Sequence, residues 1–157
     1  GGALKRLEPW FEDSHLWVVN ADAVFSADLG AMAEAHRATG ADGTWMVTRA
    51  PHARALRVVE RDGSGRVTGI FPQARDDGAV FCGVHITSKD LIERLPEGVS
   101  CVVRQGYLPW IAEGANVHGW ETQAFWADTG TPERVIDAHV RGRTELPFFR
   151  ALGVFRV

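Results

Sequence analysis

The sequence predicts an α/β domain with a mixed sheet. Apolar runs with little polar interruption, the mark of strands buried within a sheet, alternate with segments whose apolar residues recur at helical spacing. Glycine, proline and capping residues stand at the boundaries between them. Near the N-terminus, a strand–helix–strand order has the form of a βαβ unit, which is normally right-handed with parallel strands.

Taken in order, residues 15–20 (HLWVVN) are nearly continuously apolar and read as a strand buried on both faces. Ser26 is the candidate N-cap of the next segment, where Leu29, Met32, Ala33 and His36 form one helical face. Gly40 ends that helix, and residues 44–49 (TWMVTR) read as the second strand. Residues 56–60 (LRVVE) and 66–71 (RVTGIF) flank Asp62-Gly63-Ser64-Gly65 and read as a β-hairpin. A polar loop at 73–78 (QARDDG) precedes another buried strand at 80–87 (VFCGVHIT).

Ser88 caps a short helix carrying Leu91, Ile92 and Leu95, stopped by Pro96 and Gly98. Residues 102–113 read as helical, made irregular by Gly106 and Pro109. Residues 117–126 return to the sheet. Thr131 caps a last helix with Pro132 at its first position and Val135, Ile136, His139 and Val140 on its inner side. Trp17, Trp45 and Trp126 lie on strands and read as core, whereas Trp110 and Trp120 either flank a pocket or pack. His85 reads as a satisfied core histidine.

The chain of 157 residues is long enough for one domain with its own core, spanning 1–157. It is 45% hydrophobic and 24% charged, with a formal net charge of -3. There is neither the basic excess nor the basic stripe of a nucleic-acid binder. Arg141 and Arg143 read as a solvated helix end before a phosphate site. No apolar run reaches the ~18 residues of a membrane span, and no secretory leader opens the chain. Cys82 and Cys101 are unclustered, which suits reduced thiols in a cytoplasmic protein; neither CxxC nor HxxxH spacing suggests zinc.

In open α/β sheets, ligands sit at the carboxyl ends of the strands. Two aspartates stand at such ends: Asp22 after the first strand, and Asp128 after Phe125-Trp126. Each can serve as a turn cap or as a hard oxygen ligand for magnesium, which takes one or two carboxylates plus substrate phosphates. Gly130-Thr131-Pro132 makes a sharp stop and a capped helix start, so Asp128 is held on rigid elements.

Three stretches in order resemble landmarks of the sugar-1-phosphate nucleotidyltransferases: Gly1-Gly2-Ala3-Leu4, Val18-Val19-Asn20-Ala21-Asp22 and Asp128-Thr129-Gly130-Thr131-Pro132. Val58-Val59-Glu60 with Gly65-Arg66-Val67 is similar to the family's hairpin, and Phe81-Cys82-Gly83-Val84-His85-Ile86 to a later strand. The likeness runs roughly from residue 1 to residue 140. It implies a Rossmann-like three-layer α/β/α fold with a mixed sheet, of the nucleotide-diphospho-sugar transferase type, whose N-terminal strands precede Gly1.

The resemblance further implies that an NDP-sugar forms from a nucleoside triphosphate and a sugar 1-phosphate, with release of pyrophosphate. Asp22 and Asp128 would hold Mg2+. Gly2 would belong to a loop close to the nucleotide base, and Asn20, Glu60 and Gly83 would lie on the sugar-phosphate side. A hairpin glutamate such as Glu60 is ordinarily just a solvated charge, and Gly83 within a strand marks a bulge or the close approach of a ligand.

The chain departs from the family in two places. The glycine-rich loop with its triphosphate-binding arginine and lysine is not in these residues, which then form the C-terminal, sugar-binding larger part of the domain and would not suffice for activity alone. That leaves a strand edge open, to be covered by an upstream segment or by a second copy in a homo-oligomer. The family's Glu-Lys-Pro is replaced by Ile70-Phe71-Pro72-Gln73, and its Tyr-Gly by Leu56-Arg57, with Arg57 or Arg75 as candidate substitutes for the lysine. A rival reading is a nucleotidyltransferase-like module without the catalytic loop that senses a sugar nucleotide. A glycosyltransferase ranks below both, because Asp22 is followed by Ala23-Val24 and not by an Asp-x-Asp pair.

Overall fold

A computed structural model of the chain describes residues 1–49, 58–71 and 78–146. Helix α1 (Gly2–Leu7) opens it, followed by a 3-10 turn (Glu8–Trp10). Then come β1 (His15–Val19), β2 (Ala23–Phe25), α2 (Leu29–Thr39), β3 (Gly43–Thr48), β4 (Val58–Arg61), β5 (Val67–Phe71) and β6 (Ala79–Ser88). Helix α3 (Lys89–Arg94), a π-helical turn (Val102–Tyr107), α4 (Leu108–Ala112), β7 (Val117–Glu121), β8 (Trp126–Asp128) and α5 (Pro132–Glu145) complete the order. Leu56, Arg57, His52, Arg75 and most of the expected loop at 73–78 lie outside the described residues.

The sheet is mixed, as the sequence predicts. Its order is β5-β4-β6-β3-β7, with β1 also paired to β6. β3 and β7 run parallel, and the remaining pairs in this sheet are antiparallel. β1 and β3 are therefore codirectional but not adjacent, because β6 runs between them, antiparallel to each.

Alternation along β3 sets the layers. Trp45 and Val47 join Leu91, Tyr107 and Trp110 from α3, the π-helical turn and α4. Met46, between them, joins Met32 of α2, Val84 and Trp126 on the other side. Successive strand residues face opposite sides, so one fully buried strand serves two cores and the domain has three layers. Helix α5 closes a smaller cluster in which Ala138 and Leu146 meet Phe125 and Ala127.

Several local readings change. Asp28, not Ser26, caps α2, accepting the Ala31 amide at 3.1 Å, while the Ser26 amide bonds Phe125 O at 3.0 Å. Gly40 ends that helix in the left-handed region as expected. β1 is not buried on both faces: among the described residues it pairs with β6 alone, and Trp17 and Val19 are 39% and 48% exposed.

On α5 the apolar residues point outward, with Val135, Ile136 and Val140 49%, 66% and 60% exposed. The packed face is Ala138 and Gly142, whose small size lets the helix approach closely. Arg141 lies over the Phe125 ring, donates to Trp126 O at 2.8 Å and pairs with Asp137 and Glu145, so it is a structural clasp. His85 is half satisfied: its Nδ1 meets the Tyr107 hydroxyl at 2.7 Å, and its Nε2 has no partner. Burial lowers its pKa to about 3.

Candidate active site

The two strand-end aspartates meet through a pairing too short to read from sequence. After β1 the chain turns, with the Ala23 amide bonded to Asn20 O at 3.1 Å, and enters the three-residue β2. β2 pairs antiparallel with β8 in a separate two-stranded sheet, which sets Ala23 opposite Asp128. The Thr129 amide and hydroxyl both donate to Asp22 O, at 2.8 and 3.0 Å. Residues 22 and 128, far apart in sequence, are thus locked side by side by backbone bonds.

Their carboxylates converge over Gly130. A methyl group on that glycine would stand 3.1 Å from Asp128 Oδ1 and 3.2 Å from Asp22 Oδ2. The two oxygens are therefore no farther apart than the sum of those distances. The Gly130 amide donates to Asp128 Oδ1 at 2.8 Å, and Arg134 Nη1 pairs with Asp128 Oδ2 at 2.9 Å. Thr131 caps α5 by accepting the Arg134 amide at 3.4 Å, fixing that arginine in the first turn.

Asn20 and Gly83 belong to the same neighbourhood. The Asn20 amide bonds Gly83 O at 2.8 Å, extending the β1–β6 ladder by one residue. Gly83 has φ 74°, a left-handed conformation that favours glycine, in the interval where the β3–β6 register shifts. A methyl group there would lie 2.8 Å from Asn20 Nδ2. The space beside Gly83 is taken by the Asn20 side chain.

Glu60 and Gly2 sit elsewhere. Glu60 on β4 lines a cavity of about 440 Å³ with Arg49, Arg61 and Glu121, a set that includes none of Asn20, Asp22, Gly83 or Asp128. Glu121 bridges two arginines there, meeting Arg49 Nε at 2.8 Å and Arg61 Nη2 at 2.5 Å. Burial alone would raise the Glu121 carboxyl, but the hydrogen bonds and charges of Arg61 and Arg49 hold it below the usual range. Gly2 lies in a helix where a loop was expected, against the turn at 98–100, with its amide 3.4 Å from Ser100 O.

The sequence reading missed Arg134, Arg49, Arg61 and Glu121. Arg134 carried one usable signal, a cation in the first turn behind the Thr131 cap; the others come from separate strand ends and meet only through the fold.

Asp22 and Asp128 bring hard carboxylate oxygens to Gly130 and could hold a hard divalent cation, which takes one or two such groups and completes its shell with water and phosphate oxygens. Among the described residues there is no cluster of three or more His, Cys, Asp or Glu side chains placed to hold a metal.

The sequence matches the family profile described as nucleotidyl transferase over residues 2–145. Among curated proteins it is similar to valienol-1-phosphate guanylyltransferase of Streptomyces hygroscopicus subsp. limoneus, 30% identical over 82% of this chain and 37% of that protein. It is 27% identical to mannose-1-phosphate guanylyltransferase catalytic subunit beta of Danio rerio, over 80% of this chain and 34% of that protein. The chain therefore spans about a third of the length of these relatives. Among solved structures, HddC from Yersinia pseudotuberculosis superposes with a TM-score of 0.75 at 22% identity, covering 89% of this chain and 60% of that one. This last likeness supports the three-layer fold.

Proposed function

Because the chain belongs to the nucleotidyl transferase family, we propose that it forms an NDP-sugar from a nucleoside triphosphate and a sugar 1-phosphate. A phosphate oxygen of the sugar 1-phosphate forms a bond to the α-phosphorus. The bond from that phosphorus to the bridging oxygen breaks, and the electron pair leaves with pyrophosphate. The observation that carries this reading is the convergence of Asp22 and Asp128 over Gly130 at the carboxyl end of the sheet.

In this reading Asp22 and Asp128 hold Mg2+, which neutralises charge on substrate phosphate oxygens when bound. The protein's own contribution is position. The β2–β8 pairing and the Thr129 bonds to Asp22 O fix the backbone at both aspartates before substrate arrives. Asn20 rigidifies the turn that carries Asp22, and Gly83 makes room for it. The cavity edged by Glu60, Arg49 and Arg61 offers a carboxylate for sugar hydroxyls and guanidinium groups for phosphate. Arg49 and Arg61 would supply there the cation that the missing lysine would give.

The test is a screen of sugar 1-phosphates against the four nucleoside triphosphates, following pyrophosphate release by a protein that carries this chain together with the triphosphate-binding loop. Guanosine triphosphate comes first, since two of the similar curated proteins are guanylyltransferases. Release that requires both substrates and a divalent cation is the expected result. No release with any pair would contradict the proposal.

A further inference from the structure

We propose that Arg134 makes metal binding at Asp22 and Asp128 dependent on phosphate. This inference rests on the metal reading above and adds a control to it. In the structure the Arg134 guanidinium already stands where a cation would be drawn, 2.9 Å from Asp128 Oδ2. The other Asp128 oxygen accepts the Gly130 amide, so both oxygens of this carboxylate carry a partner. No hydrogen bond to the Asp22 carboxylate is found among the described residues. The pair is thus asymmetric: Asp22 is available to a metal, and Asp128 is held by a competing charge.

Arg134 can exchange partners. Its backbone is fixed by the Thr131 cap, but its side chain is 42% exposed and ends in a fork of five N–H donors, one of which Asp128 engages. A guanidinium matches phosphate as well as carboxylate geometry. When a phosphate enters beside the aspartates, Arg134 turns to it and Asp128 Oδ2 is released to the metal. Without phosphate, Arg134 offsets one of the two negative charges and weakens the attraction for a cation. Metal and phosphate then favour each other's binding, as linkage requires. Arg134 is a positioning residue in this scheme, acting through Asp128.

The experiment measures free Mn2+ by electron paramagnetic resonance during titration of the protein, with and without millimolar inorganic phosphate. Wild type should bind Mn2+ weakly alone and more tightly with phosphate. Arg134→Gln should bind Mn2+ roughly two- to fivefold tighter without phosphate, as expected for loss of a half-exposed ion pair. It should also lose the enhancement by phosphate. Arg134→Lys, which keeps the charge, should restore much of the wild-type pattern. Thermal melting establishes that each variant is folded. Binding by Arg134→Gln equal to or weaker than wild type overturns the coupling while leaving the metal reading intact. Mn2+ binding unchanged in Asp22→Asn and Asp128→Asn overturns the metal reading and the coupling with it.

Discussion

Substituting Gly83 by alanine should damage the site through Asn20, and the structure supplies both the magnitude and the control. With φ 74°, an alanine at this position pays roughly 1–2 kcal/mol for the left-handed conformation alone. Its methyl group would also stand 2.8 Å from Asn20 Nδ2 and 3.1 Å from Asn20 Cβ. Rotating the amide relieves the first contact but not the second, so the backbone of Asn20 must shift. Asn20 O anchors the turn to Ala23, and Asp22 lies inside that turn.

Gly98 provides the comparison: its φ is 80°, yet a methyl group there meets nothing within 4 Å. Gly98→Ala should therefore lose stability but not turnover. At ~2–4 °C per kcal/mol for a chain of this size, the backbone term lowers either melting temperature by roughly 2–8 °C. Gly83→Ala should fall further and lose turnover about ten- to a hundredfold, the scale of a displacement near one ångström. Differential scanning fluorimetry, and pyrophosphate release by a protein that also carries the triphosphate-binding loop, measure the two effects. Turnover in Gly83→Ala as high as in Gly98→Ala would refute the route through Asn20.

Two further outcomes concern the core. Tyr107→Phe removes the hydroxyl 2.7 Å from His85 Nδ1 and leaves a fully buried imidazole without a partner, so urea unfolding should show a loss of roughly 1–3 kcal/mol. His85 itself is held neutral by burial, with its pKa lowered to about 3 from an ordinary 6.5. The unfolded chain binds the extra proton between those values. This contribution to stability is therefore complete above about pH 6.5 and is lost as pH falls toward 3. Urea midpoints measured from pH 7 down to 4 should decline in wild type and decline less in His85→Gln.

Much of the fold was legible because its strong elements are locally encoded. Residues 80–87 and 44–49 are apolar on both faces, and the structure buries β6 and β3 accordingly. Thr131-Pro132 announces α5 and does cap it. What escaped depends on partners. β2 has three residues, too few for any periodicity, and exists through its pairing with β8. β1 has the composition of a central strand but among the described residues is paired on one edge, a difference no local pattern records. On α5 the largest apolar residues suggested the inner face, whereas the fit against Phe125 and Ala127 required small ones, Ala138 and Gly142.

The same division holds at the site. Asp22, Asp128 and Gly130 sit in short motifs at element ends, so their placement can be read from the chain, and the structure brings them together. Asn20 and Gly83 also meet, through the β1–β6 ladder. Arg49, Arg61 and Glu121 come from separate strands and form a cluster only after folding.

On the proposed reading, Asp22 and Asp128 act as one unit in nucleotidyl transfer. Steady-state pyrophosphate release by Asp22→Asn, Asp128→Asn and the double variant, each made in a protein that also carries the triphosphate-binding loop, is the test. Each single substitution should lower turnover at least roughly a hundredfold with the melting temperature little changed. The double variant should be no more than a few-fold worse than the weaker single, because groups that act together do not add. Near-wild-type turnover in both single variants would contradict the account.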